Sequence, residues 1–242
     1  MSAQLSLFSA YDDAAGWHVR VSRRARRLSV RVYPGGRVEV VVPPGASPLT
    51  VQRFIGQHRA WIDRRVRDLA PGGVAHNTLP ATVELRALCS SYPLSYFDSE
   101  QPVRVRSGES GNLIVSGTVH DRPAVSDALR RWLLRLAQHE FSEWVAQLSR
   151  TFNFKYERVQ IRRQRTRWGS CSASGTISLN VCLSFLEPSI VRYLLIHELC
   201  HTRQMNHSAK FWALVAECEP DYRRLDRELS RGWQSVPGWM YA

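Results

Sequence analysis

Within PSIVRYLLIHELCHTRQM, residues 188–205, the five residues His197-Glu198-Leu199-Cys200-His201 decide how the chain is read. Ile190, Val191, Leu194, Leu195, Leu199 and Met205 recur at helical spacing, and Pro188 after Glu187 suits a first helical turn. On such a helix two residues four apart sit roughly 40° from one another around the axis, so His197 and His201 face the same way. Glu198 stands beside the first of them. Two imidazoles and a carboxylate in so apolar a stretch carry a desolvation cost unless they are paired or bind a metal. The pattern therefore predicts a zinc site with its own general base. Both imidazoles would reach the ion at roughly 2.0 to 2.1 Å, with the carboxylate facing bound water. An ordinary amphipathic helix would account for a structural His197, but not for all three groups together.

A catalytic zinc takes three protein ligands and keeps one position open. Asn206 reads as a helix stop and Ser208 as an N-cap before AKFWALVAEC, so a turn there folds the chain back and offers His207 as the third ligand. Glu217 and Glu219, with Cys218 between them, are the rivals on the following helix. The expected reaction is hydrolysis through metal-bound water: Glu198 accepts the proton, a carbonyl is attacked, and Glu198 returns the proton to the leaving amine. Neutral ligands leave such a site net positive, which favours a developing oxyanion. Arg167, Tyr193 and Tyr222 are each chemically able to donate to that oxyanion.

Other segments accompany this one: Arg167-Trp168-Gly169-Ser170-Cys171-Ser172, Ile177-Ser178-Leu179-Asn180, Asn206-His207-Ser208 and Phe211-Trp212. Together with HELCH they resemble the YgjP-like metallopeptidase family, which is related to the SprT and WLM zinc peptidases. The likeness extends to Arg23, Arg24, Arg26, Arg27, Leu28, Val30, Arg31 and Val32 and to residues 38–43, so it spans residues 17–235. It implies a gluzincin- or metzincin-like zinc hydrolase with His197, His201 and His207 as ligands, Glu198 as catalytic acid/base, and a peptide or protein as substrate. The spacing of the three histidines equals that of metzincins, with Gln204 where those enzymes place a glycine. The resemblance also offers residues 176–180 as a sheet edge that an extended peptide joins by main-chain pairing. Arg167, Trp168, Asn180 and Tyr222 are the candidate substrate-binding residues; a large aromatic such as Trp168 serves burial first, and bracing of the zinc helix is its preferred reading.

Length and composition agree with a self-supporting enzyme. The 242 residues are 44% hydrophobic, enough for one large or two modest cores. Cys89, Cys171, Cys182, Cys200 and Cys218 are odd in number, scattered and without a CxxC pair, which argues against a disulfide framework and fits a reducing cytoplasm. The first residues have no basic region ahead of an apolar run, and no stretch approaches the roughly 18 apolar residues of a membrane helix. A cytoplasmic protein with no membrane partner is expected.

The net charge of +12 raises the question of nucleic acid. Seven arginines lie between Arg20 and Arg37, and five between Arg158 and Arg167. Read as a strand, Arg163, Arg165 and Arg167 would share one face leading into the WGSC segment, either as a solvated face or as an anion-binding groove. Two alternatives to a peptidase follow. One is a metal-dependent hydrolase of nucleotide phosphoanhydrides; the other is a DNA-associated protein with a metal site.

The expected fold is α+β, a β-rich N-terminal half followed by a zincin-like helical catalytic domain with a small sheet. Residues 1–15 read as a flexible leader, 16–120 as a β-rich region with one helix, and 121–242 as the catalytic domain. Strands are expected at 17–21, 28–33 and 37–42, with Pro34-Gly35-Gly36 turning between the last two. Ser47 and Pro48 open a helix to Leu69, with Val51, Phe54, Ile55, His58, Trp61, Ile62 and Val66 on its apolar side and Pro71-Gly72-Gly73 beyond it. Short strands follow at 82–88, 92–97, 102–106 and 112–116, then a long amphipathic helix over 122–149. A strand begins at Val159, another covers 176–180, and the tail from Gly232 packs back on the body.

Overall fold

The computed structural model describes residues 17–33, 36–69 and 79–241. The expected leader, Pro34 and Gly35 of the expected turn, and the Pro71-Gly72-Gly73 break lie outside them. The fold is α+β, with five α-helices and three small mixed sheets among the described residues. The chain divides into two compact units, Met1–Gly72 and Gly73–Ala242. The strands over 82–117, grouped in the sequence reading with the N-terminal region, fall within the second unit.

The first unit holds β1 (Trp17–Val21), β2 (Ser29–Val32), β3 (Val38–Val42) and α1 (Pro48–Leu69). β3 lies between β1, parallel to it, and β2, antiparallel to it, and all five of its residues are buried. This central place explains why it reads as a nearly continuous Val run. α1 begins where the Ser47 hydroxyl accepts the Thr50 N–H at 3.2 Å, an N-cap. It lays Val51, Ile55 and Ile62 against Trp17, Val19, Val38, Val40 and Val42. Each fully buried aliphatic side chain there contributes about 1.5 to 3 kcal/mol. Trp61, expected on the same face, is 48% exposed, because one residue before Ile62 is roughly 100° away around the helix.

The second unit opens with β4 (Thr82–Leu85), β5 (Ser90–Asp98), β6 (Arg104–Ser107) and β7 (Leu113–Gly117), in the order β4-β5-β7-β6. The strand expected over 82–88 stops at Leu85, since Arg86–Leu88 wind into a 3-10 turn that Cys89 closes in the left-handed region. α2 (Arg122–Phe152) starts under an Asp121 cap, whose carboxylate accepts the Ala124 N–H at 3.0 Å, and ends at left-handed Asn153. Leu129, Leu133, Phe141 and Val145 on α2 are fully buried.

Next come β8 (Arg158–Arg162), β9 (Gly169–Cys171) and β10 (Thr176–Asn180), in the order β8-β10-β9. β10, expected as the edge, is instead the central strand, parallel to β8 and antiparallel to β9. The edges are β8 and β9. Arg163, Arg165 and Arg167 do not extend β8 either. They lie exposed on a loop that Asn180 pins, donating from its side-chain amide to the carbonyls of Gln164 at 2.8 Å and Arg167 at 2.7 Å.

A 3-10 turn over Val181–Phe185 leads into α3 (Pro188–His201), followed by α4 (Ala209–Cys218) and α5 (Tyr222–Arg231). The tail folds back as expected: Trp233 stacks on Trp168 with ring centres 3.9 Å apart, and buried Arg130 donates to the Trp239 carbonyl at 2.9 Å. Among the described residues no helix is long and apolar enough to cross a membrane.

Candidate metal centre

The HELCH residues form the last turn of α3, not the middle of a longer helix reaching 205. The helix stops because the Thr202 hydroxyl takes the Leu199 carbonyl at 2.7 Å, while the Arg203 and Gln204 N–H groups both turn back to the Cys200 carbonyl. The chain then reverses before α4. That reversal carries His207 back over His197.

The Nε2 atoms of His197 and His201 are 3.2 Å apart, and those of His197 and His207 are also 3.2 Å apart. Two nitrogens on a tetrahedral zinc at roughly 2.0 to 2.1 Å would stand about 3.3 Å from one another, so the donor set fits such an ion. Hydrogen bonds at the far side of two rings fix the tautomers. His201 Nδ1 meets the Gln204 carbonyl at 3.1 Å, and a carbonyl only accepts, so Nδ1 carries the proton and Nε2 keeps its lone pair. The Tyr193 hydroxyl donates to Asp226 Oδ1 at 2.8 Å and stands 3.4 Å from His197 Nδ1, which leaves that nitrogen to donate to the phenol oxygen. Burial, and then the neighbouring His201 and His207, push the His197 pKa down to about 3. Burial also lowers that of His201, against the opposing bond to Gln204. Both rings are therefore neutral near pH 7, the form that binds metal.

Aromatic residues of α4 hold the rings. Phe211 stacks on His201 at 4.4 Å and meets His197 edge-on at 4.9 Å, while Trp212 stacks on His207 at 5.6 Å. The rival ligands lie elsewhere. Glu219 is ion-paired with Arg192, the free thiols of Cys218 and Cys200 are hydrogen-bonded to one another, and neither these groups nor Glu217 join the imidazole cluster. Among the described residues, His197, His201 and His207 are the histidine, cysteine and acid group close enough together to hold a cation.

Glu198 is 4% exposed, and its Oε2 has no hydrogen-bond partner among the described residues. Burial pushes its pKa up to about 8. A buried carboxylate oxygen left without a partner calls for an explanation, and a site that receives a ligand supplies one. Its neighbour is the backbone of β9: a Cβ placed on Gly169 would lie 2.6 Å from Glu198 Oε1. Glycine is needed there for close approach. Cys171, on the same strand, has its thiol pKa pushed up to about 11 by burial and then by the Glu198 charge.

The remaining candidates separate. Tyr193, considered as an oxyanion donor, is fully buried with its hydroxyl engaged behind His197. Asn180 is fully buried, and its amide clamps the loop before β9 while its Oδ1 accepts the Cys182 N–H at 3.1 Å. Trp168 is buried beneath Trp233. Arg167 is exposed on the clamped loop. Tyr222 stacks on Trp212 at 5.5 Å, one ring away from His207. Sequence reasoning missed Asp226, which no spacing marks; the role of Gly169 was present in the WGSC segment only as a motif letter.

No curated protein matches this chain. The crystal structure of the metallopeptidase zymogen of Pyrococcus abyssi abylysin is similar at 26% identity and TM-score 0.34, covering 36% of this chain and 90% of that one. The model of the YgjP-like metallopeptidase domain matches residues 26–232. The chain thus belongs to the YgjP-like metallopeptidase family.

Proposed function

We propose that the protein hydrolyses peptide bonds with a zinc ion held by His197, His201 and His207 and with Glu198 as general base. The observation that carries this reading is the convergence of three Nε2 atoms beside a buried carboxylate whose Oε2 has no partner among the described residues. Zinc bound there would supply Lewis acidity and make a coordinated water a stronger acid. The chain's own groups do the rest. Glu198, with a pKa raised toward neutrality, can take a proton and return it to a leaving amine within one turnover. Gly169 keeps the strand close over that carboxylate. Asp226 and Tyr193 hold the His197 ring by its Nδ1 edge.

The substrate would bind as an extended chain. β9 ends its sheet, so its outer backbone groups can pair with a peptide, and main-chain pairing suits peptides of varied sequence. Tyr222, beside Trp212, is the substrate-side candidate that stands one ring away from a ligand; Arg167 and Trp168 border the same strand. Metal analysis together with cleavage of casein and fluorogenic peptides tests the reading. Wild type should bind one zinc per chain and cleave, while Glu198→Gln keeps the zinc and loses cleavage. Zinc content unchanged in His207→Ala, or full turnover in Glu198→Gln, would remove it.

A further inference from the structure

Beside the imidazole cluster lies a hollow of about 340 Å³ bounded by Trp212, Tyr222, Arg223, Asp226 and Arg227. Its wall is a column of rings. Trp212 stacks on His207 at 5.6 Å with 28° between planes, and Tyr222 stacks on Trp212 at 5.5 Å with 21°. Arg223 continues the column, its guanidinium carbon 5.7 Å from the Tyr222 ring and its Nε donating to the Tyr222 hydroxyl at 3.1 Å. Arg227 follows one helical turn later on α5.

The charges around the hollow are unevenly committed. Asp226 is occupied by the Tyr193 hydroxyl. Arg224, on the same helix, is tied to Asp221 and Glu228. Neither Arg223 nor Arg227 forms an ion pair among the described residues, although both line the hollow. Two guanidiniums face one carboxylate that already has a donor, so the hollow attracts anions. Guanidinium pairs a carboxylate through two parallel N–H bonds, which gives direction as well as charge.

Resting on the peptidase reading above, we infer that this hollow is a specificity subsite for a substrate carboxylate, held by Arg223 and Arg227 against the Trp212–Tyr222 wall. Two ring spacings separate His207 from Tyr222, so the carboxylate belongs about three residues of extended chain from the bond that is cut. An internal Glu or Asp and a free peptide C-terminus share this chemistry.

The test measures binding apart from turnover. Fluorescently labelled peptides that differ only by Glu or Gln at successive positions, and a second pair that differ only by a free or amidated C-terminus, are titrated by anisotropy into zinc-loaded Glu198→Gln protein. Either the internal or the terminal carboxylate should bind about fivefold more tightly than its neutral partner, and the pair that responds identifies the source. The preference should fade in high salt and disappear in Glu198→Gln carrying Arg223→Gln and Arg227→Gln as well. Equal binding of charged and neutral partners overturns the inference, as does a preference that survives loss of both arginines. Displacement of the acidic peptides by a short single-stranded DNA that binds more tightly through the same two arginines also overturns it, in favour of phosphate. Cleavage by wild type is scored separately. If no peptide is cut while the arginine-dependent preference holds, the peptidase reading fails and the subsite stands; cleavage without any preference has the opposite meaning.

Discussion

Among the described residues each compact unit buries one glutamate, and the two are treated in opposite ways. Glu39, 7% exposed as the second residue of β3, accepts from the Tyr33 hydroxyl at 2.8 Å and from Arg20 Nε at 3.1 Å, with Arg31 at 3.9 Å. Burial alone would raise its pKa, but those hydrogen bonds and the charges of Arg20 and Arg31 outweigh burial and hold it below the ordinary value. Glu198, 4% exposed, has an oxygen without a partner among the described residues and a pKa pushed up to about 8 by burial. Similar exposure thus produces a carboxylate held ionised by donors in one unit and, in the other, one left without them, which is the condition the proposed proton-transfer role needs. What differs is whether the surroundings supply donors.

The widest gap between the two should appear on removing their charge. Glu198→Gln is expected to lower kcat/KM by about a thousandfold while zinc content and Tm stay close to wild type, as measured by fluorogenic peptide assays, elemental analysis and calorimetry. A large fall in Tm would mean that Glu198 is structural after all. Gly169→Ala should come next. The new Cβ displaces the Glu198 carboxylate, so activity falls by about a hundredfold with zinc retained. Near-normal kinetics in that variant would show that the carboxylate is not positioned by β9. Tyr193→Phe should weaken zinc by about tenfold in chelator competition, because His197 loses its orienting bond.

The smallest effect falls on the other glutamate. Glu39→Gln should cost on the order of 1 kcal/mol of stability, discounted because Arg20 and Arg31 are both well exposed, and should leave cleavage unchanged. Because the folded pKa of Glu39 lies below its unfolded value, the unfolded chain binds more protons as pH falls. The stabilisation is therefore present above about pH 4.5 and is lost as pH drops through the folded pKa. Urea unfolding at pH 7 and at pH 3 should show the wild-type advantage over Glu39→Gln shrinking at the lower pH.

Much of this was legible in the chain itself. The α+β class, the first-unit strands and the His197, His201 and His207 set could be read because helical and alternating periods are local, as is the return of chain that a helix stop permits. Strand order was not legible. The resemblance offers residues 176–180 as an edge, yet they pair on both sides, with β8 in parallel and with the three-residue β9, which follows the Asn180-pinned loop, in antiparallel. Alternating arginines suggested a longer β8, but the clamp that ends it comes from a side chain 13 residues away from Arg167. Asp226 acts through Tyr193 across 33 residues, a separation at which residue spacing carries no signal.

Under the proposed pairing, the brevity of β9 bears on which polypeptides could be cut. Three residues provide roughly 10 Å of backbone to pair with, so a chain bound in the proposed way would have to be extended over at least that length. Rigid helices and well-packed sheets cannot present it without first unravelling. Linkers, frayed ends and partly denatured polypeptides already can, so under the proposed pairing conformational looseness in the target is a first requirement, and the carboxylate preference acts on chains that meet it.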